Sequence, residues 1–349
     1  MNIKSFSIEG LFNRFNHRIE FKNNINIIIG KNGVGKTTCL ELLYALFNKK
    51  NEIIKDIPFR SMSIEFTDGK KWLITKENTE DPIWVEKKRK ENEVKIIKSQ
   101  RLVEYFVPYD TYDPDAVVPE AKVKSNTEKL AKLIKDVIAK AADITTNLDK
   151  TFPVRLLDNA GRNIRNTEYL KKNLADLETK RRELSKVGLI ATEADASTPP
   201  TENISESSAL VLSLYVQDSW AKLQPYETIA QKLSLFLEII NSRFLYKKMT
   251  IDKNKGYFFV SDEGEEIPID KLSSGEQNEL VMFYNLLFEC NENNLILIDE
   301  PEISMHIEWL NNMVPDLLAI SKLNGLSMLI ATHSPDFIGE YWKLTTELK

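Results

Sequence analysis

Four residues within eight positions carry the first chemistry in this chain: Gly30, Gly35, Lys36 and Thr37. They fit G-x-x-x-x-G-K-[ST] in the stretch "NIIIGKNGVGKTT", whose loop runs Gly30, Lys31, Asn32, Gly33, Val34, Gly35, Lys36, Thr37, Thr38. Glycine opens backbone conformations closed to other residues, so successive N–H groups can point into one concavity. A helix starting near Lys36 adds the positive end of its dipole. Lys36 supplies a full charge for β- and γ-phosphates, and the Thr37 hydroxyl is a Mg²⁺ ligand. A plain glycine turn is the simpler explanation, but the chain has only twelve glycines and sets three within these six positions. At average residue usage such a match arises in roughly one chain in a hundred.

Three further clusters lie far downstream. "NLILIDEPE", residues 294–302, is an apolar strand ending in Asp299 and Glu300. Adjacent acids at the end of a buried strand are costly without a partner. Asp299 is placed to hold Mg²⁺, and Glu300 to orient or deprotonate a water. "LSMLIATHSPDFI" closes another apolar strand with His333, one of only three histidines, as a candidate contact for the γ-phosphate or the attacking water. Upstream, Ser273, Ser274, Gly275 and Glu276 open an amphipathic helix, whose N–H groups form an anion-binding end. A serine N-cap with Glu276 in the first turn explains that segment equally well.

The elements around these clusters follow from periodicity. "IKSFSIEG" and "HRIEF" alternate, "INIII" reads as a buried strand, and "TTCLELLYALFN" as a helix. "SMSIEF", "KKWLITK" and "PIWVEKK" predict short antiparallel strands. From about residue 119 the texture becomes helical: Leu130, Leu133, Ile134, Val137 and Ile138 form one stripe. Leu170, Leu174, Leu177 and Leu184 form a short heptad-like seam with Arg181 on it. Residues 189–207, rich in Ser, Thr, Glu and Pro, predict a mobile connection. Helices over 208–223 and 227–246 precede strands at "KKMTID" and "GYFFVSD". The organisation expected is an α/β domain in two halves, 1–118 and 249–349, split by a helical, partly coiled-coil insertion over 119–248.

Composition narrows the class. The chain of 349 residues is 42% hydrophobic and 28% charged, with a net charge of −5 that gives no overall pull toward nucleic acid or anionic membrane. Cys39 and Cys290 sit in apolar sequence without metal-ligand spacing, as buried reduced thiols do. No apolar run approaches the ~18–20 residues of a membrane span, and the first residues lack a signal-peptide core. A cytoplasmic protein without a membrane partner is expected.

Taken in order, the motifs resemble the ABC-type ATPase head. "GKNGVGKT" is similar to Walker A, "LSSGEQ" to the signature motif, "LILIDE" to Walker B, "ISMH" to the D-loop and "THS" to the H-switch. The split by helices resembles the SMC, RecF and OLD-like branch. "IDEPEISMHIEW" followed by "ATHSP" resembles prokaryotic AAA-type ATPases of phage-defence systems. The resemblance covers roughly residues 1–75 and 250–338. It implies a P-loop NTPase with a mixed sheet and antiparallel N-terminal strands, using ATP and Mg²⁺. It also implies a homodimer or higher homo-oligomer in which Ser273 and Gly275 of one copy touch the γ-phosphate held by Lys36 of another. His306 stands where the D-loop usually has aspartate, Ser274 where transporters have glycine, and Gln100 is the one weak candidate for the Q-loop. Only sixteen residues follow His333, too few for the nuclease domain of OLD-like proteins, so a separate effector protein, nuclease or toxin, is expected.

Two functions follow from these observations. One is a nucleotide-dependent dimeric switch that senses a trigger and controls that effector in anti-phage defence. The other is an SMC/RecF-like ATPase of DNA repair or maintenance, with "EKKRKENEVKIIK" and "KRR" as candidate phosphate contacts. A charge run is more often a solvated face.

Overall fold

The computed structural model describes residues 3–22, 24–48, 50–75, 94–97, 119–158, 167–191, 206–292, 294–303 and 305–349. "PIWVEKK", Gln100 and residues 192–205 of the expected mobile connection lie outside them. The chain forms two compact units: Met1–Pro119 together with Ser273–Lys349, and Glu120–Leu272.

The first unit opens with strands β1 (Ile3–Leu11) and β2 (Phe15–Glu20), then β3 (Ile25–Ile29), helix α1 (Lys36–Phe47), α2 (Asn51–Asp56), β4 (Ser61–Phe66), β5 (Lys71–Thr75) and β6 (Val94–Ile97). Strands of both senses are present, but in separate sheets. β2-β1-β4-β5 is antiparallel throughout. β3 instead joins a five-stranded sheet whose described pairings are all parallel.

Helix α1 lies in the core shared by both sheets. Cys39, Leu40, Leu42, Leu43, Ala45 and Leu46 are buried with Phe6, Ile8, Met62 and Ile64 of the antiparallel sheet and Ile28, Leu297 and Leu329 of the parallel one. A helix covered on more than one face needs apolar residues nearly all round, as "CLELLYALF" provides. Both cysteines are buried, and burial pushes the Cys39 thiol up to about 12.

The second unit contains α3 (Pro119–Asp158), α4 (Thr167–Lys186), α5 (Glu206–Leu223) and α6 (Glu227–Arg243), followed by the antiparallel sheet β7 (Lys247–Asp252), β8 (Gly256–Ser261), β9 (Glu266–Ile267). Leu170, Leu174 and Leu177 of the α4 seam cluster with Ala209 and Val216 of α5. On α3, Leu130 and Ile134 are buried while Leu133 is exposed. Residues 249–272, assigned from sequence to the C-terminal half of the head, group with the helices instead. The Asn241 side chain accepts from Met249 N at 2.6 Å and donates to Met249 O at 3.2 Å, and Tyr257 Oη donates to Val123 O at 3.0 Å. Those bonds tie the strands to α6 and α3.

The chain returns to the first unit with α7 (Ser274–Tyr284), a π-helical turn over Asn285–Glu289, β10 (Leu295–Asp299), α8 (Ile307–Leu310), α9 (Met313–Asn324), β11 (Ser327–Ala331), α10 (Pro335–Ile338) and β12 (Thr345–Glu347). The parallel sheet has the order β12-β3-β11-β10-β6. Its registers pair Asp299 with Ala331 and Ala331 with Ile28, so three strands end at one level. β6 was not expected: its sequence lies in a lysine-rich run, yet Val94, Lys95 and Ile96 are buried. Lys95 Nζ donates to Glu289 O at 2.6 Å, one of the carbonyls that a widened π turn exposes. Asn324 Nδ2 bonds two more, Leu286 O and Leu287 O.

Because α1 is enclosed by two sheets, truncating its centre leaves a cavity that cannot collapse onto solvent. Leu43→Ala is expected to lower the unfolding free energy by about 2–5 kcal/mol in urea titrations, whereas Leu133→Ala, on an exposed helix face, should cost well under half of that.

Candidate functional site

The loop after β3 is shaped by close approaches. Gly35, the N-cap of α1, has φ +93°, and a Cβ there would lie 2.6 Å from Leu11 Cδ2. Leu11 is delivered by a register shift in the β1–β2 ladder, where Gly10 N donates to Asn16 Oδ1 at 2.8 Å. At Gly30 a Cβ would lie 2.7 Å from Leu348 O. β12 holds that carbonyl beside the loop, because Leu348 N donates to Ile29 O at 2.8 Å. Packing against a backbone carbonyl therefore requires glycine at position 30, and the left-handed φ requires it at position 35.

Lys36 is buried, and its Nζ donates to Gly30 O at 2.8 Å and Lys31 O at 3.4 Å. A buried ammonium with carbonyl partners alone gains further from an anion. Thr37 Oγ1 donates to Asp299 Oδ1 at 3.1 Å, joining the loop to the end of β10 across β11. Asp299 is itself buried. These two hard oxygens suit a small cation that keeps several ligands from phosphate and water. Among the described residues no group of three or more His, Cys, Asp or Glu could cage a metal by itself.

Glu300 leaves β10 with φ +47°, a conformation that costs a non-glycine residue about 1–3 kcal/mol. Its N–H donates to Ala331 O at 2.8 Å, which keeps it level with the end of β11. His333 Nδ1 then lies 3.4 Å from Glu300 Oε1 and 3.4 Å from Glu302 Oε1. Glu302 is the functional residue that sequence reasoning missed. Its nearly buried Oε1 accepts from Thr332 Oγ1 at 2.7 Å and from His333 N at 3.2 Å, so it fixes the segment carrying the histidine. The third carboxylate of "DEPE" was its only signal.

Ser273 caps α7 in a reciprocal box: its Oγ accepts from Glu276 N at 3.3 Å, and Glu276 Oε2 accepts from Ser273 N at 2.8 Å. The plain capping explanation is thus realised. It uses the third N–H of the helix, leaving those of Ser274 and Gly275 outside the intrahelical ladder. The structure brings Lys36, Thr37, Asp299, Glu300 and His333 together at the ends of β3, β10 and β11. Ser273–Glu276 open a separate helix. His306 is the N-cap of α8, with Nδ1 accepting from Glu308 N at 3.4 Å.

The model of the AAA ATPase domain matches residues 1–338. The chain belongs to the AAA ATPase domain family. The DNA replication and repair protein RecF of Francisella tularensis subsp. mediasiatica is 25% identical over 167 residues, 48% of this chain and 36% of that protein. The subsp. novicida RecF gives the same figures. This AAA ATPase thus covers only about a third of the length of the curated relatives it matches. The RecF similarity agrees with the SMC/RecF-like resemblance of the motifs. A solved Smc head domain with extended coiled coil, bound to the C-terminal domain of ScpA derived from Pyrococcus furiosus, covers 97% of this chain and 91% of its own, at 13% identity and a TM-score of 0.38.

Replacing Gly35 by alanine places a methyl group against Leu11 at a φ that L-residues avoid. Gly35→Ala is expected to weaken binding of a fluorescent ATP analogue at least tenfold, and equal affinity for the two proteins would contradict the argument from backbone conformation.

Proposed function

We propose that the chain binds and hydrolyses ATP and that nucleotide binding joins two copies head to tail. The observation carrying the nucleotide reading is the bond from Thr37 to Asp299, which sets the glycine loop beside a carboxylate pair and a histidine, and the pairing of copies rests on the resemblance of the signature motif. The loop N–H groups and Lys36 would hold the phosphates. Magnesium, held by Thr37 and Asp299 together with the phosphates, would neutralise charge on the transferred group. Glu300 would take a proton from the attacking water as its oxygen bonds to the γ-phosphorus and ADP departs. His333, braced by Glu302, stands next to that carboxylate. The free N–H groups of Ser274 and Gly275 suit a γ-phosphate presented by the second copy, as the signature motif implies.

Two settings suit such a switch: control of a separate effector in anti-phage defence, and DNA repair or maintenance. The similarity to proteins named for DNA replication and repair favours the second. Of the basic stretch "EKKRKENEVKIIK" only residues 94–97 are among those described. Lys95 is a buried strand residue bonded to Glu289 O. In "KRR", Lys180 pairs with Glu183 at 3.4 Å, and Arg181 bonds Glu178 at 2.8 Å and Tyr215 Oη at 3.2 Å. No helix among the described residues is long and apolar enough to cross a membrane.

Lys36→Ala is expected to reduce ATP turnover to background. Glu300→Gln keeps the backbone and removes the base, so it should bind ATP with wild-type affinity, turn over at least a hundredfold more slowly, and sediment as a dimer in ATP and Mg²⁺. Normal turnover in Glu300→Gln would remove Glu300 from the mechanism. For the DNA setting, titrating duplex DNA against the ATP-bound Glu300→Gln protein between about 50 and 200 mM salt should show a steep affinity loss. A protein that binds no DNA at the lowest salt would favour the effector setting.

A further inference from the structure

His17, assigned no role by the motifs, reaches the phosphate loop from the other sheet. It lies on the inward face of β2, between Phe15 and Ile19, and is 5% exposed. Its Nε2 is 2.7 Å from Val34 O, within the loop. A carbonyl only accepts, so Nε2 carries the hydrogen and the tautomer is fixed by this contact. The ring stacks on Phe15 at 5.7 Å with planes 16° apart, and the Arg14 guanidinium lies 5.2 Å over the far ring. The imidazole is therefore oriented by packing as well as by its hydrogen bond.

The consequence follows from peptide geometry. The described chain contains no cis peptide bond, so the Val34–Gly35 plane is trans and its N–H points opposite to its C=O. Holding Val34 O toward β2 turns the Gly35 N–H away from β2. Glycine at φ +93° is otherwise free to rotate this plane. The helical ladder does not hold it, because the first bond, Cys39 N to Gly35 O at 2.8 Å, begins one residue later. We propose that His17 is a positioning residue for nucleotide binding: by fixing the Val34 carbonyl it presents the Gly35 N–H to the phosphates. This inference rests on the ATPase reading and adds a residue to it.

The test compares His17→Phe, His17→Gln and His17→Asn in the full chain. Phenylalanine keeps the ring and the stack on Phe15 but has no donor. The glutamine amide reaches as far as Nε2, and that of asparagine falls short. The expected result is an ATP Kd and KM raised about tenfold in His17→Phe with kcat reduced less than twofold, and recovery to within about threefold of wild type in His17→Gln. If His17→Phe does not fold, the same contrast is read between His17→Gln, near wild type, and His17→Asn, weakened about tenfold. A His17→Phe protein with wild-type affinity overturns the proposal. So does a glutamine variant as weak as the phenylalanine or asparagine one, since the ring would then be needed only for packing. Wild-type protein that binds no nucleotide would overturn the ATPase reading itself, whereas wild-type binding unaffected by His17→Phe removes this inference alone.

Discussion

The hydrogen bond from Thr37 Oγ1 to Asp299 Oδ1 joins residues 262 positions apart, and the remaining site geometry depends on what permits it. Thr37 is in the first turn of α1, directly after β3, and Asp299 ends β10, two strands away in the sheet. They meet because β3, β11 and β10 run parallel with Ile28, Ala331 and Asp299 in one row. A one-residue slip of any strand would turn each of its side chains to the opposite face of the sheet and move its terminal side chain out of that row. Leu295–Asp299 are buried without interruption and β3 and β11 nearly so, so a slipped strand would have to repack both faces of the sheet at once. The site thus inherits its precision from the core.

That dependence explains what the sequence disclosed. The loop glycines, Lys36, Thr37, Asp299 and Glu300 were legible because each has a residue type that its position demands, at fixed spacing beside an apolar strand. His333 was legible by rarity. Glu302 and His17 were not, since each acts on a neighbour brought close only by folding: Glu302 on the segment after β11, His17 on a loop facing another sheet. His17 did leave a trace, as a polar residue at a core-facing step of an alternating strand.

The elements misjudged share a physical cause. β6 occupies a lysine-rich run, and Lys95 is tolerated inside because its ammonium reaches a π-turn carbonyl that no local pattern announces. β12 is three residues of threonine and glutamate, too short and polar for periodicity, and stable only as the neighbour of β3. The sheet over 247–267 reads as a pair of ordinary strands either way. Its membership in the helical unit is decided by side chains such as Asn241 and Tyr257, whose partners are distant in sequence or on another element.

Burying Lys36 and Asp299 while holding Glu300 at positive φ concentrates unfavourable terms in a few residues, and such a loop persists only if its surroundings restrain it. The restraint comes from both flanks. On one flank Leu11 presses against Gly35 and His17 bonds Val34 O, both from the antiparallel sheet. On the other, Leu348 crowds Gly30 and bonds Ile29 from the edge of the parallel sheet. Helix α1 then needs its many buried leucines for a second reason besides stability: it keeps the two sheets at the separation at which both flanks touch one loop. On the proposed reading a change in that separation would alter phosphate binding, so the packing of α1 would belong to the nucleotide chemistry as much as the loop does.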